Sequence, residues 1–491
     1  MTVGSFLRAA ALVAGALVAT VPLASQDAGP PRRLKLADTG LPGIDLGLSP
    51  LARPEAMGGH VRRRDGSVTD TPWVAGRVLV KFRDRDHAEV VAIDASADPE
   101  AAARLYAARG DVEFAQADYR AHLDYRPNDP LFANQWNLSA LRMEQAWDVN
   151  PGATSAVVVA VLDSGLAYDT ATYAYNAFGI ATGTRRYPAL GRVSIPFAAA
   201  PELAGPNRFV APHDFIWNDD APVDLDGHGT HVAGTIGQLT NNSLGVAGMA
   251  FNVRLMPVKV VGGDWDLIFG APNEATTAVV AAGIRYAADN GAQVINMSIG
   301  FDGGGTLPAI EEALRYAVGK GAFVAVSAGN GFDEGNPEEA LAEIAAKMDG
   351  VMSVGAVNRD LNRAFYSSSR SSVEIAAPGG DLRNGPSGGV IQQTYDPAAS
   401  AVDPLSNPVS LYHAPRYDIF GYESYNGTSM AAPHVSGLAA LLVQQGITKP
   451  AAIEAAIKRF ARDLGAAGRD NDFGFGLISP RETLRGLGLS R

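Results

Sequence analysis

The strongest constraint on the fold is a series of short, continuously apolar runs that alternate with helical stretches from Asn128 onward. The runs have the length of strands and cover 156–162, 254–261, 294–298, 323–327 and 351–357. Helical stretches cover 274–290, 307–320 and 429–444. Strands that are apolar on both faces form mostly parallel sheets with helices on both sides. The sequence therefore predicts an α/β domain whose site lies beyond the carboxyl ends of the strands.

Charge and cysteine content exclude several classes of function. The 491 residues carry a formal net charge of -12, which disfavours binding to phosphate backbones. We therefore expect no nucleic-acid partner. The chain has 0 cysteines, so disulfides, thiolate metal sites and cysteine nucleophiles are excluded together. A covalent catalyst would have to be a hydroxyl, a carboxylate or a lysine.

The N-terminal residues predict export. Arg8 precedes an apolar run over 9–23, and the small residues Ala24 and Ser25 follow it. This layout is typical of a secretory signal peptide over 1–25, and the run is too short for a membrane span. We expect a protein that is secreted to the periplasm or the medium and is not stably inserted in a membrane. Residues 26–71 are rich in Pro, Gly and Arg and indicate a linker.

Residues 72–125 predict a small α+β domain in front of the large one. Alternation over 78–82 indicates a strand, 99–109 has helical composition, and 112–114 indicates a second strand. The large domain then extends over 126–491.

Two candidate catalytic residues follow apolar strands or glycine turns. Asp163 ends the run 160–162, although an aspartate at a strand end is also a common turn residue or helix cap. His228 lies between Gly227 and Gly229, which leave its imidazole accessible as a base. The alternatives are a structural histidine, or a zinc pair with His231 for which no third ligand is evident.

Two further candidates lie near the start of a helix and the end of a strand. Ser429 opens a very apolar helix, where unpaired backbone N–H groups favour a developing oxyanion, but ordinary N-capping is the alternative. Asn330 follows the run 323–327, where its amide can donate to an oxyanion or merely form an Asn-Gly turn.

Together these motifs closely resemble those of the subtilisin-like serine proteases. They are Asp-Ser-Gly from 163, His-Gly-Thr-His-Val-Ala-Gly-Thr from 228, Ser-Ala-Gly-Asn from 327 and Gly-Thr-Ser-Met-Ala-Ala-Pro-His from 427. The order Asp, His, Ser differs from that of chymotrypsin-like enzymes and α/β-hydrolases. The resemblance implies a serine endopeptidase that acts through an acyl-enzyme. Ser429 would be the nucleophile, His228 the base and Asp163 its partner, with Asn330 and the Ser429 N–H as oxyanion hole.

The resemblance also implies how polypeptide substrates bind. Ser298, Ile299 and Gly300 match the family's substrate-aligning segment, where backbone groups pair with an extended peptide. The specificity pocket lies near 329–346, but the acidic stretch 335–339 departs from the family pattern. The preferred residue before the cut therefore stays open.

A structural calcium ion is a further implication of the resemblance. Asp129 and Asn242 would supply side-chain oxygens, and Thr240, Leu244 and Val246 backbone carbonyls. The alternative is a capped turn beside a solvated loop. No catalytic cofactor is expected.

The small segment from Trp73 to Leu123 resembles the family's inhibitory propeptide. It implies a self-processed zymogen whose own propeptide inhibits it until a cut between 123 and 128, and we expect a monomer. An unrelated small binding domain is the alternative for this segment. Rival functions for the whole chain are a catalytically inactive peptide-binding relative and a metallopeptidase. Long insertions over 169–212 and 379–426 have no role that the sequence reveals.

Overall fold

The computed structural model describes residues 73–119, 125–301, 305–401, 404–405 and 408–486. The predicted signal peptide and linker lie outside these residues. None of the helices in the described part combines the length and apolar character of a membrane span. The chain divides into two compact units, Met1–Ala121 and His122–Arg491.

The first unit contains one helix and a three-stranded antiparallel sheet in the order β2-β1-β3. Its elements are β1 (Trp73–Phe82), β2 (Glu89–Ala92), α1 (Pro99–Ala107) and β3 (Val112–Tyr119). Asp98 caps α1 by accepting from the Glu100 N–H at 3.0 Å, and Pro99 fits the first turn, where no N–H partner is needed. Strand, helix and strand follow one another as the sequence suggests, with β2 as an additional strand. The role of this segment as a propeptide stays a prediction.

The second unit contains the other strands and helices. Its strands are β4 (Val158–Asp163), β5 (Ala171–Ala177), β6 (Ile180–Thr182), β7 (Arg185–Tyr187), β8 (Gly191–Phe197), β9 (His213–Asp214), β10 (Arg254–Lys259), β11 (Val294–Met297), β12 (Phe323–Ser327), β13 (Val351–Val357), β14 (Ile375–Pro378), β15 (Val390–Tyr395) and β16 (Phe420–Tyr425). Its helices are α2 (Trp136–Ala140), α3 (Met143–Trp147), α4 (His228–Gly237), α5 (Asp264–Phe269), α6 (Thr277–Asp289), α7 (Pro308–Gly319), α8 (Ala340–Ala345), α9 (Pro397–Ser400), α10 (Thr428–Gln444), α11 (Pro450–Phe460) and α12 (Pro480–Gly486).

Seven of these strands form one parallel sheet in the order β14-β13-β12-β11-β4-β10-β9. The predicted mostly parallel α/β sheet is therefore confirmed. Both faces are buried, because alternate residues of β4 enter different cores. Val159 and Val161 pack in one core with α4 and α10, whereas Ala160 and Leu162 pack in the other with α6 and α7. Asp163, at the carboxyl end of β4, lies at the edge where sites form in such sheets.

The two long insertions contain antiparallel strand pairs outside this sheet. In the first, β5 pairs with β8 and β6 with β7; in the second, β15 pairs with β16. The insertions contact each other through the stacked rings of Phe197 and Tyr417, whose centroids are 5.0 Å apart. Two residues separate the end of β16 from the start of α10, so the second insertion leads directly to Ser429.

Candidate active site

Asp163 and His228 form a hydrogen-bonded pair at the edge of the sheet. The Nδ1 atom of His228 lies 2.7 Å from Oδ1 of Asp163, which also accepts from the Ser164 N–H at 2.8 Å. An ionised carboxylate can only accept, so Nδ1 carries the proton and the neutral ring keeps Nε2 as an acceptor. The Asp163 side chain is almost fully buried, whereas that of His228 is 31% exposed. The pair therefore has a fixed inner partner and an outer base that a substrate can reach.

Asp224, a residue that the sequence did not single out, holds the loop before His228. Its carboxylate accepts from the N–H groups of Asp226, Gly227 and Thr230 at 2.9–3.0 Å. It also accepts from the hydroxyls of Ser164 and Thr230. Because Ser164 in turn accepts from the Gly229 N–H at 2.9 Å, the turns around Asp163 and His228 are tied together. In the sequence, only its position four residues before the histidine pointed to it.

Charges around His228 stabilise its imidazolium form. Burial disfavours the charged ring, but Asp163 and, more weakly, Asp226 and Asp224 outweigh it and raise the pKa of His228 to about 9. Burial, together with the nearby Asp224, raises the pKa of Asp226 to about 6. The base is therefore neutral only in alkaline solution.

Ser429 is the second residue of α10, and its backbone is held by Ser298. Pro433 lies inside α10 and has no N–H to donate to the carbonyl of Ser429, four residues before it. The Ser298 hydroxyl donates to that carbonyl instead, at 2.8 Å. The Ser429 hydroxyl donates to the Ser298 carbonyl at 3.2 Å, so two reciprocal hydrogen bonds join these residues. In this resting arrangement the hydroxyl bonds to Ser298 and not to the imidazole.

Asn330 presents its amide N–H groups to the space beside Ser429. Its Oδ1 atom accepts from the N–H and the hydroxyl of Thr428 at 2.8 and 2.9 Å, which fixes the amide orientation. A Cβ atom placed on Gly427 would lie 3.7 Å from Asn330 Nδ2 and 3.6 Å from the Ser429 nitrogen. Two donors thus face one small space, as stabilisation of an oxyanion requires.

The segment Ile299–Gly300–Phe301 contributes to the lining of two surface cavities that these groups also line. One cavity, of about 420 Å³, is lined by Ser429 and Asn330; the other, of about 430 Å³, by Asp163 and His228. Both are also lined by this shared segment, and Ser298 contributes to the second. The predicted substrate-aligning residues Ile299 and Gly300 therefore border both the cavity of the candidate nucleophile and that of the candidate base.

His231 has the contacts of a structural histidine. Its Nε2 atom lies 3.0 Å from the Val390 carbonyl oxygen and 3.2 Å from that of Glu423, so Nε2 donates a proton. Its ring stacks on Tyr425 with centroids 4.3 Å apart, and burial above all lowers the pKa of His231 to about 3. A nitrogen that donates to two carbonyls has no lone pair for zinc. His231 Nε2 therefore cannot be a ligand in the alternative zinc site formed by His228 and His231.

The predicted calcium ligands lie close to one another, and one carboxylate oxygen among them is unsatisfied. Asp129 Oδ2 accepts from the Asn241 N–H at 2.7 Å, while its buried Oδ1 has no hydrogen-bond partner within the described residues. Burial raises the pKa of Asp129. Asn242 Oδ1 accepts from the Leu244 N–H at 2.9 Å and retains a second lone pair. These oxygens fit a hard cation.

Glu202 is a second carboxylate beside the loop 240–246, and it was not identified from the sequence. It is fully buried in the first insertion, and its Oε2 accepts from Gln238 at 2.8 Å and from the Val246 N–H at 3.2 Å. Its Oε1 contacts the Tyr422 hydroxyl. Both oxygens accept hydrogen bonds from protein donors, so Glu202 supports the loop.

Comparison with known proteins decides the family. The model of the Subtilase family matches residues 154–476, more than half of the chain. The chain is a member of the subtilase family. It is a serine endopeptidase that acts on polypeptides, and the predicted family and enzyme class are confirmed.

Relatives of this subtilase include enzymes from several bacteria. It is 31% identical to thermitase of Thermoactinomyces vulgaris over 70% of this chain and 94% of thermitase. Identity to the thermophilic serine proteinase of Bacillus sp. strain AK1 is 31%, over 76% of this chain and 79% of that protein. The extracellular protease of Xanthomonas campestris is 32% identical over 86% of this chain and 68% of its own length.

Solved structures show the same fold. A protease from Pseudoalteromonas arctica aligns with a TM-score of 0.54 and 27% identity, covering 73% of this subtilase and 99% of that chain. The overlap extends beyond the motifs to most of the second unit.

Proposed function

We propose that this subtilase hydrolyses peptide bonds with Asp163, His228 and Ser429. The observation that carries the proposal is the 2.7 Å contact between His228 and Asp163, beside a segment, 299–301, that also lines the cavity of Ser429. His228 Nε2 accepts the Ser429 proton as Oγ attacks the scissile carbonyl, once the hydroxyl has turned from the Ser298 carbonyl toward the ring.

The remaining steps follow from the donors and the base. The tetrahedral oxyanion accepts hydrogen bonds from Asn330 Nδ2 and the Ser429 N–H. His228 then gives its proton to the leaving amine, which departs and leaves an ester on Ser429. A water molecule, deprotonated by the same imidazole, attacks the ester and releases the second product. Asp163 keeps the ring in the productive tautomer throughout.

A fluorophosphonate probe tests the assignment. It reacts with activated serine hydroxyls, so wild type should be labelled, whereas Ser429→Ala and His228→Ala should not. A folded wild type that binds peptides without labelling or cleavage would instead identify an inactive peptide-binding relative. Equal labelling of wild type and Ser429→Ala would remove Ser429 as the nucleophile.

Maturation from a precursor is part of the proposal. The first unit has the compact β-sheet and helix expected of a folding segment, and the predicted cut lies between 123 and 128. The Ser429→Ala precursor should remain at full length, while wild type should yield a mature chain whose N-terminus lies in that range. Mass spectrometry of both products checks this. Conversion of purified Ser429→Ala without added protease would contradict self-processing.

We also propose export and a structural calcium ion. Export is supported by the extracellular relative from Xanthomonas campestris and by the apolar run 9–23, and cell fractionation checks it. Asp129 and Asn242 would hold the ion together with carbonyls of 240–246, linking the start of the second unit to that loop. A calcium chelator should lower the thermal midpoint of Ser429→Ala protein but not that of an Asp129→Asn derivative of it. An equal effect on both would refute Asp129 as a ligand.

A further inference from the structure

The cavity beside Ser429 is acidic. Its lining within the described residues includes Glu334, Glu338 and Glu339 but no lysine, arginine or histidine. Apolar surface comes from residues such as Ile299 and Leu341. A side chain that enters this cavity therefore passes apolar walls and meets carboxylates.

Glu339 is the carboxylate closest to the backbone segments that flank the cavity. A Cβ atom on Gly300 would lie 3.6 Å from Glu339 Oε2, and one on Gly329 would lie 2.8 Å from Oε1. Gly329 has a φ of 103° and no room for a side chain, because its Cβ would be 2.2 Å from Glu339 Cγ. The Glu339 carboxylate thus reaches between the substrate-aligning segment and the strand end that leads to Asn330.

The Glu339 side chain is directed toward the cavity and not toward the start of α8. Glu339 is the N-cap residue of α8, yet its side chain makes no capping hydrogen bond and reaches the cavity instead. Glu339 is half-buried, whereas Glu334 and Glu338 are exposed. Glu338 pairs with Arg370 at 2.9 Å. Glu339 is therefore the inner carboxylate of the cavity and the other two form its rim.

We propose that this cavity binds the side chain of the residue before the scissile bond and selects lysine or arginine. The inference rests on the proposed function, since it takes Ser429 as the attacking group. A long aliphatic stem suits the apolar walls, and its cationic end pairs with Glu339. An acidic side chain would be repelled, and an apolar one would gain no attraction to the carboxylates.

The test uses peptide p-nitroanilides that differ only in the residue before the cut: Lys, Arg, Leu, Ala or Glu. Active enzyme is first counted with the fluorophosphonate probe. Wild type should show its highest kcat/KM on Lys and Arg. Glu339→Gln, of nearly equal size, should lower kcat/KM on these two substrates about 10- to 100-fold relative to Leu, the range expected for losing a hydrogen bond to a charged group. Glu334→Gln, on the rim, should lower it only about 2- to 5-fold.

Glu343→Gln is the matched control. Glu343 lies on α8, whose N-cap residue is Glu339, and its substitution by Gln changes the net charge by the same amount. It lines a different cavity, where it pairs with Lys347. In this variant, the ratio of kcat/KM on the Lys and Arg substrates to kcat/KM on the Leu substrate should equal that of wild type. If Glu339→Gln does not fold, the inference is tested by the substrate preference of wild type and by the ratio of kcat/KM on basic and Leu substrates in Glu334→Gln.

The outcomes separate this inference from the proposed function. Labelled wild type without a preference for Lys or Arg would overturn the inference alone, as would an equal loss on all five substrates in Glu339→Gln. Absence of both labelling and cleavage would overturn the proposed function, and the inference with it.

Discussion

Ser298→Ala tests how α10 accommodates a proline one turn after Ser429. The Ser298 hydroxyl donates to the Ser429 carbonyl at 2.8 Å and accepts from Asn296 Nδ2 at 2.9 Å. Pro433 cannot supply the helical N–H that this carbonyl would otherwise accept. The substitution therefore leaves the buried Asn296 amide and the part-buried Ser429 carbonyl without these partners.

The expected cost follows from those two groups. A buried donor or acceptor without a partner costs about 1–3 kcal/mol, and a part-buried one lies at the lower end of that range, so Ser298→Ala should destabilise the fold by about 2–4 kcal/mol. Pro433→Ala restores an N–H four residues after Ser429. In that background only the Asn296 amide loses its partner, and the cost of Ser298→Ala should fall by about 1–2 kcal/mol.

Unfolding rates in denaturant, followed by tryptophan fluorescence, measure this coupling. All variants carry Ser429→Ala to prevent self-digestion, and rates are suitable because proteins of this size often unfold irreversibly. Ser436→Ala is the control: it removes a donor to Asn296 Oδ1 at 2.8 Å but does not touch the Ser429 carbonyl. Its cost should be the same with and without the Pro433→Ala substitution. If Ser298→Ala also costs the same in both backgrounds, the hydroxyl does not replace the missing N–H.

Three further changes test the site. Asn330→Ala should lower kcat about 10²- to 10³-fold with little change in KM, as is known for the oxyanion-hole donor of a subtilisin, and steady-state kinetics check this. Asp226→Asn removes a charge that helps to raise the pKa of His228 to about 9, so the alkaline rise of kcat/KM should move to lower pH; an unmoved profile would contradict this origin of the shift. Because the pKa of His228 is raised in the folded state, its protonation stabilises the fold. This stabilisation is complete below about pH 6.5 and is lost as the pH rises through about 9, so unfolding should accelerate over that range. Thr394→Val removes a 2.7 Å hydrogen bond to the Gly227 carbonyl and should lower kcat/KM about 2- to 10-fold, whereas a wild-type value would show that the contact does not position His228.

The sheet was predictable because burial on both faces leaves a local signature. The run 323–327 coincides with β12, and 351–357 with β13, since strands buried on both sides are apolar over nearly their whole length. Antiparallel strands of the insertions were not predicted. β5 alternates between half-buried and exposed residues, and its pairing with β8 depends on partners that local sequence does not specify.

Site residues differed in how far sequence could identify them. Asp163, His228 and Asn330 stand at strand ends or glycine turns, where local chemistry already limits their roles. Asp224 and Glu339 act through contacts distant in sequence or across a turn, so no short motif marks them. Calcium ligation by Asp129 stays a prediction, although the unpaired Oδ1 gives it physical support.

The insertions acquire a role once their contacts to the histidine loop are considered. Tyr417 donates to the Leu225 carbonyl at 2.8 Å, and Thr394 donates to that of Gly227, so the second insertion holds both sides of Asp226.

The first insertion braces Tyr417 in turn. The Tyr417 N–H donates to the Pro196 carbonyl, and the Tyr417 carbonyl accepts from the Ala198 N–H, both at 3.0 Å. Loop 225–227 immediately precedes the base, and a displacement of about 1 Å in a catalytic group can cost about 10²-fold in rate. The insertions therefore support the loop before His228 from outside the parallel sheet.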